Sequence, residues 1–330
     1  MGMDSNFSNS NASAVKSAGW YPGHMLKAQR AMHEALSLVD LAVELVDARA
    51  PLATRNPRLA RIIAGKSQVI LANKADLACK AINAGWTKWF AQHGRRIDFV
   101  QAEHLFRPEE LAAAWREQVL KDRAARGVTR PLLRPIRMMI VGIPNIGKST
   151  LINRLRTRNI AKTGPTPGVT RQTQWVQLAG NIELLDTPGI LWPQLRDPGQ
   201  ELLLTLLGNI PDTAFDPVLT AEFLVKRLRE LPIRDPLKNL GLDEEPENAF
   251  ELLEALARRR GMLLPGNQPD SGRAANALLK EFRSGRLGRF TLEMPPAKET
   301  GEAGQPTDGG DAASEKEARE EDVFMMDTRK

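Results

Sequence analysis

Cysteine and tyrosine are almost missing from this chain of 330 residues, which has one of each, Cys79 and Tyr21. A lone thiol can form neither an intramolecular disulfide nor a thiolate metal cluster. Cysteine-based zinc chemistry is therefore excluded, and a reducing compartment is expected. Aromatic residues make up 5% of the chain, too few to favour binding by stacking on single-stranded bases. Also missing is any run approaching the ~18 to 20 uncharged apolar residues of a membrane span. The first 18 residues have no basic cluster followed by an apolar stretch, so no secretory signal is expected. These absences together predict a cytoplasmic chain with no membrane partner.

What is present is ordinary in bulk: 42% hydrophobic and 26% charged residues, in a length that suggests about two domains at roughly 150 residues each. The net charge of +6 is unevenly spread, since residues 297–330 hold 5 basic and 10 acidic side chains. Residues 1–296 keep 41 basic against 30 acidic, a net +11. Such a surplus suits a polyanion such as RNA as well as it suits a merely soluble surface.

Residues 1–18 are rich in Ser and Asn, and residues 296–330 in Gly, Ala and acids. Neither end has enough large apolar groups to offset its ordering entropy, so both are expected to be disordered. Between them, Leu41–Val46, Val69–Ala72, Met138–Val141 and Ile182–Leu185 are short apolar runs alternating with helix-period segments. That alternation predicts an α/β fold with a mostly parallel sheet over residues 19–197. Over residues 198–295, Leu202, Leu203, Leu206 and Leu207 are followed at helical spacing by Leu219, Phe223, Leu224 and Leu228. The same spacing continues with Phe250, Leu253 and Leu256, then Ala275, Leu278, Leu279 and Phe282. A small all-α domain is expected there. Lys121–Arg137, with six basic residues and two prolines, is expected to be a linker.

MMIVGIPNIGKST carries G-x-x-x-x-G-K-S at Gly142, Gly147, Lys148 and Ser149, between an apolar strand and a helix-like segment. The glycines let backbone N–H groups curl around a phosphate. The run Asn145, Ile146, Gly147, Lys148, Ser149 and Thr150 would wrap it, with Lys148 balancing the β/γ charge and the Ser149 hydroxyl binding Mg²⁺. Thirty-seven residues beyond Ser149, DTPG places Asp186 at a strand end, where an acid can hold Mg²⁺ through water and the Gly189 N–H can meet a γ-phosphate. D-x-P-G is turn chemistry by itself, so the phosphate loop upstream gives it this meaning. In the Thr/Gly/Pro loop between them, Thr170 is favoured over Thr166 as a further Mg²⁺ ligand.

In VILANKAD, Asn73, Lys74 and Asp76 follow another apolar strand, and N-K-x-D resembles the guanine-recognition box of GTPases. A carboxylate at Asp76 accepts from both N1–H and the 2-amino group of guanine. Adenine would leave that carboxylate unpaired, at roughly 1 to 3 kcal/mol per unsatisfied group or more when charged. The box precedes the phosphate loop, the reverse of the ordinary GTPase order. Asn267 to Asp270 would restore that order, but Gln268 replaces the lysine and RRRGMLLPG before it is no strand. Permutation is physically allowed because all these boxes lie on loops at the carboxyl edge of one sheet.

With this order the sequence resembles the circularly permuted GTPases, and most closely the ribosome biogenesis GTPase A (YlqF/RbgA) family. The motifs are GWYPGHM, LVDARAP with Asn56 and Pro57, NKAD, GIPNIGKST, the PGVT loop, DTPGILWP and PDSGRAANALLKEFRSGRLGRFTLEMP, spanning about Gly19 to Pro295. The resemblance implies a circularly permuted P-loop GTPase sheet followed by a helical domain. It implies GTP hydrolysis to GDP and phosphate, coupled to late assembly of the large (50S) ribosomal subunit and its rRNA, by a chain expected to be a monomer with no role on DNA. It also implies that Ala102 contributes a backbone N–H to guanine O6, that Asn145 binds K⁺, and that His24 supports catalysis. Ile190 stands where many GTPases place a water-orienting glutamine. That leaves an alternative open, a GTP-controlled RNA-binding module with little hydrolysis of its own. Candidate phosphate contacts for RNA are Arg258, Arg259, Arg260, Arg273, Lys280, Arg283, Arg286 and Arg289.

Overall fold

The computed structural model describes residues 34–56, 66–105, 107–156, 175–185, 198–211, 215–232, 236–242 and 246–296. Its main sheet contains β1 (Leu41–Asp47), β2 (Ser67–Asn73), β3 (Ile97–Phe99), β4 (Ile136–Val141), β5 (Trp175–Leu178) and β6 (Ile182–Leu185). They lie in the order β3-β2-β1-β4-β6-β5, all parallel except the β5–β6 hairpin.

Alternation along β1 shows why the strands read as continuous apolar runs. Leu41, Val43 and Leu45 pack with Trp115 and Val119 of α2 (Pro108–Ala125) and with Leu151 of α3 (Lys148–Leu155). On the opposite face, Val46 packs with Trp86 and Phe90 of α1 (Lys80–Gln92). A strand covered on both faces has no polar side to display. Glu44 and Asp47 are buried exceptions; Glu44, only 3% exposed, is paired with Arg55 at 2.8 Å and accepts from the Asn56 N–H at 3.1 Å.

Parallel pairing brings the carboxyl ends of β1, β2, β3, β4 and β6 to one edge, with Asp47 beside Asn73 in register. The box at the end of β2 and the loop after β4 thus share an edge although the chain reaches them in reversed order.

Beyond the sheet come α4 (Pro198–Leu206), α5 (Pro217–Glu230), α6 (Ala249–Arg259) and α7 (Ser271–Arg283). Their starts follow capping chemistry: Asp216, Asn248 and Asp270 each accept a first-turn backbone N–H. Their core of leucines, with Phe282 and Phe290, includes Ala50 from the segment after β1. The described residues through Pro295 group as one compact unit.

Leu219 and Phe250 lie on α5 and α6 as their spacing predicts, though each is 54% exposed. Two expectations are corrected. Lys121–Ala125 is the last turn and a half of α2, so the basic linker begins only at Arg126. Leu263–Leu264 does pair, as β7 with β8 (Gln268–Pro269), while Asp270 caps α7.

The chain then returns from α7 to the sheet as a strap. The Phe290 N–H donates to the Leu77 carbonyl at 3.0 Å, Cys79 N–H to the Thr291 hydroxyl at 3.0 Å, and Leu292 N–H to the Arg49 carbonyl at 2.6 Å. The Glu293 carboxylate accepts from Leu52 N–H at 2.7 Å and Ala53 N–H at 2.8 Å. Burial raises the Glu293 pKa from 4.5 to about 6, against those two N–H groups and Arg227, which lower it. A raised folded-state value means that the stabilisation is fully present below pH 4.5 and lost as pH rises through about 6. Compared with Glu293→Gln, the native chain should therefore be relatively more resistant to urea at pH 4.5 than at pH 7. A stability difference between the two that does not change with pH would overturn this.

Candidate functional site

The phosphate loop leaves β4 at Gly142, where a Cβ would lie 2.7 Å from the Leu45 carbonyl oxygen. At Gly147 the backbone has φ +103°, and a Cβ would collide with the Asn73 amide. Both sequence glycines thus mark close backbone approaches, and α3 begins immediately after the second. Its free N–H groups at Lys148, Ser149 and Thr150 open onto the shared sheet edge, the arrangement that favours an anion. The Lys148 ammonium folds back over the loop, donating to the Gly142 carbonyl at 2.7 Å and the Ile143 carbonyl at 2.9 Å. Burial pulls its pKa down to about 8, a value that a neighbouring phosphate would raise again. Asn145, with φ 55°, and Ser149 are exposed at the loop.

The base box joins this loop through Asn73, which is 4% exposed. Its Nδ2 donates to the Ile146 carbonyl at 3.0 Å and its Oδ1 accepts from the Ala102 N–H at 2.9 Å. One amide therefore clamps three loops, those after β2, β3 and β4. Lys74 takes a left-handed conformation (φ 59°) and its ammonium lies 3.2 Å from Asp47 Oδ2. Asp76 follows in the half-buried 3₁₀ turn Ala75–Leu77.

The Ala102 expectation needs correction. The residue lies beside the box as the sequence placed it, but it is 1% exposed and its N–H is taken by Asn73, so that N–H is not open to guanine O6. Of the basic residues of the helical part, Arg260 is paired with Glu281 at 2.8 Å. Arg283 donates to the Leu206 carbonyl at 3.0 Å and the Thr205 carbonyl at 2.7 Å. Those two guanidinium groups hold the fold together, while Arg258, Arg259, Arg273, Lys280, Arg286 and Arg289 remain exposed. His24, Thr166, Thr170, Asp186, Gly189 and Ile190 lie outside the described residues, although β6 ends at Leu185, one residue before Asp186.

Sequence reasoning assigned no role to Asp47 or Arg49 beyond their place in LVDARAP. They form a buried pair in which Arg49 Nε and Nη2 reach the two carboxylate oxygens at 2.9 and 2.8 Å. Burial opposes ionisation of Asp47, but Arg49 and Lys74 outweigh it and hold its pKa at about 2. Arg49 Nη2 also reaches the Leu207 carbonyl, at 3.3 Å, beyond α4. A charged pair in the middle of an apolar motif was the available signal.

Among the described residues, no cluster of three His, Cys, Asp or Glu could hold a metal, and no helix is long and apolar enough to cross a membrane. The exposed Ser149 hydroxyl at the start of α3 is a hard oxygen donor, the type Mg²⁺ takes alongside phosphate oxygens.

A family described as 50S ribosome-binding GTPase matches residues 137–212. Ribosome biogenesis GTPase A of Bacillus cereus is 41% identical over 280 residues, which cover 84% of this chain and 93% of that protein. The protein of the same name from Thermotoga maritima is 33% identical over 277 residues, covering 84% and 94%. The crystal structure of GNP-bound YlqF from T. maritima is similar with a TM-score of 0.57 at 29% identity, covering 82% of this chain and 98% of that one.

Proposed function

The chain belongs to the ribosome biogenesis GTPase A family, and from that premise we propose how its residues carry the activity. It is a Mg²⁺-dependent GTPase that binds GTP and GDP and acts in ribosome biogenesis. We propose that the phosphates sit on Asn145 to Thr150 with Lys148 across them, and that Ser149, Thr170 and Asp186 hold Mg²⁺. Gly189 meets the γ-phosphate, and Asp76 reads guanine. The observation that carries this reading is the Asn73 amide, which ties the base box to the phosphate loop at 3.0 Å despite the reversed chain order. Asn73 then acts by holding the two loops together, and Lys74 by its pairing with Asp47.

The partner is the large ribosomal subunit, met through rRNA phosphates by Arg258, Arg259, Arg273, Lys280, Arg286 and Arg289. Asn145 binds K⁺, His24 supports the attack of water, and the chain works as a cytoplasmic monomer. With few aromatics, recognition is of folded RNA shape.

Steady-state GTP hydrolysis with and without purified large subunits tests the reading. Subunits should stimulate turnover of the native chain and fail to stimulate His24→Ala, which should still bind GTP. No stimulation of the native chain would favour a GTP-controlled RNA-binding module. Stimulation that survives in His24→Ala would remove His24 from the chemistry.

A further inference from the structure

Asn209 lies in the turn that follows α4 and is 2% exposed. Its Nδ2 donates to the Pro144 carbonyl of the phosphate loop at 3.2 Å, across 65 residues of chain. Its Oδ1 is buried with no hydrogen-bond partner among the described residues. An amide buried with one end unmatched is costly, and an apolar side chain would fill the space without that cost. Packing therefore does not account for an asparagine here. The orientation of the amide is fixed by its acceptor, because only an N–H end can face a carbonyl.

The turn that carries Asn209 is itself clamped. Arg283 of α7 binds the Thr205 and Leu206 carbonyls, and Arg49 binds the Leu207 carbonyl while paired with Asp47, the partner of Lys74 in the base box. Gly208, with φ +79°, supplies the left-handed residue that turns the chain just before Asn209. The Asn209 amide thus reaches Pro144 from an anchor held by both the base box and the last helix.

What it holds is a peptide plane. No peptide bond among the described residues is cis. In a trans peptide the carbonyl of one residue and the N–H of the next point in opposite directions. If the Pro144 carbonyl is drawn to Asn209, the Asn145 N–H must point away from the helical part. We propose that Asn209 is a positioning residue of the nucleotide site: it turns the Asn145 N–H toward the nucleotide phosphates, so that the seating of the helical part sets the affinity of the phosphate loop. This rests on the reading of Gly142–Ser149 as the phosphate site and deepens it. A ligand that shifts α4 or α7 would change nucleotide affinity without touching the nucleotide.

The test compares GDP, which presents phosphates to the loop, with guanosine, which presents none, on the full-length chain. Asn209→Leu removes the donor and fills the space, and Asn209→Asp keeps the shape without the donor. In both, the Kd for GDP should rise about tenfold, as expected for losing one well-placed donor to an anion. The inhibition constant of guanosine, obtained by competition against a fluorescent GDP of known Kd in each variant, should be unchanged, and so should the fold by circular dichroism. Unchanged GDP affinity in either folded variant would overturn the proposal. Equal losses for GDP and guanosine would also overturn it, because a general structural role weakens both. Failure of the native chain to bind GDP would refute the phosphate-site reading itself, a result distinguishable from failure in the variants alone.

Discussion

Lys148→Ala should bind GDP on the order of a hundred- to a thousandfold more weakly than the native chain, matching the size of the rate loss when one preorganised donor is removed from an oxyanion site. The ligand-free variant should melt no lower than the native protein. Both follow from the same geometry. Without ligand, the ammonium is desolvated against two loop carbonyls, and burial holds its pKa at about 8 where 10.5 is usual. The folded chain therefore binds fewer protons than the unfolded one between those values, and this group makes stability rise with pH across that window. A phosphate reverses the sign by favouring the charged ammonium. GDP binding should be proton-neutral at Lys148 near pH 7 and coupled to proton uptake above about pH 8, with affinity falling as pH rises further. Calorimetry in buffers of different ionisation enthalpy measures that uptake directly. Uptake that persists in Lys148→Ala would mean that another group carries it. Lys148→Arg should not restore binding, since a planar fork cannot take the place of a compact ammonium between the Gly142 and Ile143 carbonyls.

The parts of this site that were legible in the sequence are those set by local chemistry. Gly142 and Gly147 could be read because a loop that approaches Leu45 and Asn73 this closely admits no Cβ. The strands could be read because burial on both faces leaves an unbroken apolar run, and the carboxyl-edge rule then placed the boxes together whatever their order. The sequence did not reveal which polar groups spend their hydrogen bonds on each other. The N–H of Ala102 looked available until β3 and β2 were laid side by side, bringing Asn73 to it. Arg283 and Arg286 look alike in a basic run, but only Arg283 reaches the Thr205 and Leu206 carbonyls at the end of α4. The strap from Phe290 to Glu293 has no local signature, because its partners, Leu77, Cys79, Arg49 and Leu52, are more than 200 residues earlier. Its motif was readable as a family mark, and the structure supplies the physical reason: this segment fastens the helices to the turn that carries Asp76.

Arg49→Ala should cost about 3 to 5 kcal/mol of unfolding free energy, the range for removing one partner of a buried ion pair. Asp47 is 0% exposed and would keep only Lys74 as a cation, while the Leu207 carbonyl would lose its Arg49 hydrogen bond and Phe282 the guanidinium over its ring. With Asp47 lowered from 3.8 to about 2, the stabilisation from the pair is fully present above pH 3.8 and lost as pH falls through 2. The native chain and the variant should therefore converge in stability toward strong acid, and a gap that persists there would mean that packing rather than charge dominates. Asp47→Leu/Arg49→Met should recover much of the loss, because replacing both charges with apolar groups leaves neither one buried alone. Stability and nucleotide binding should then separate. The double variant regains its fold but has lost the link from Lys74 through Asp47 and Arg49 to the turn that bears Asn209, so its GDP affinity should stay below that of the native chain. Full recovery of affinity along with stability would show that the buried pair serves the fold alone.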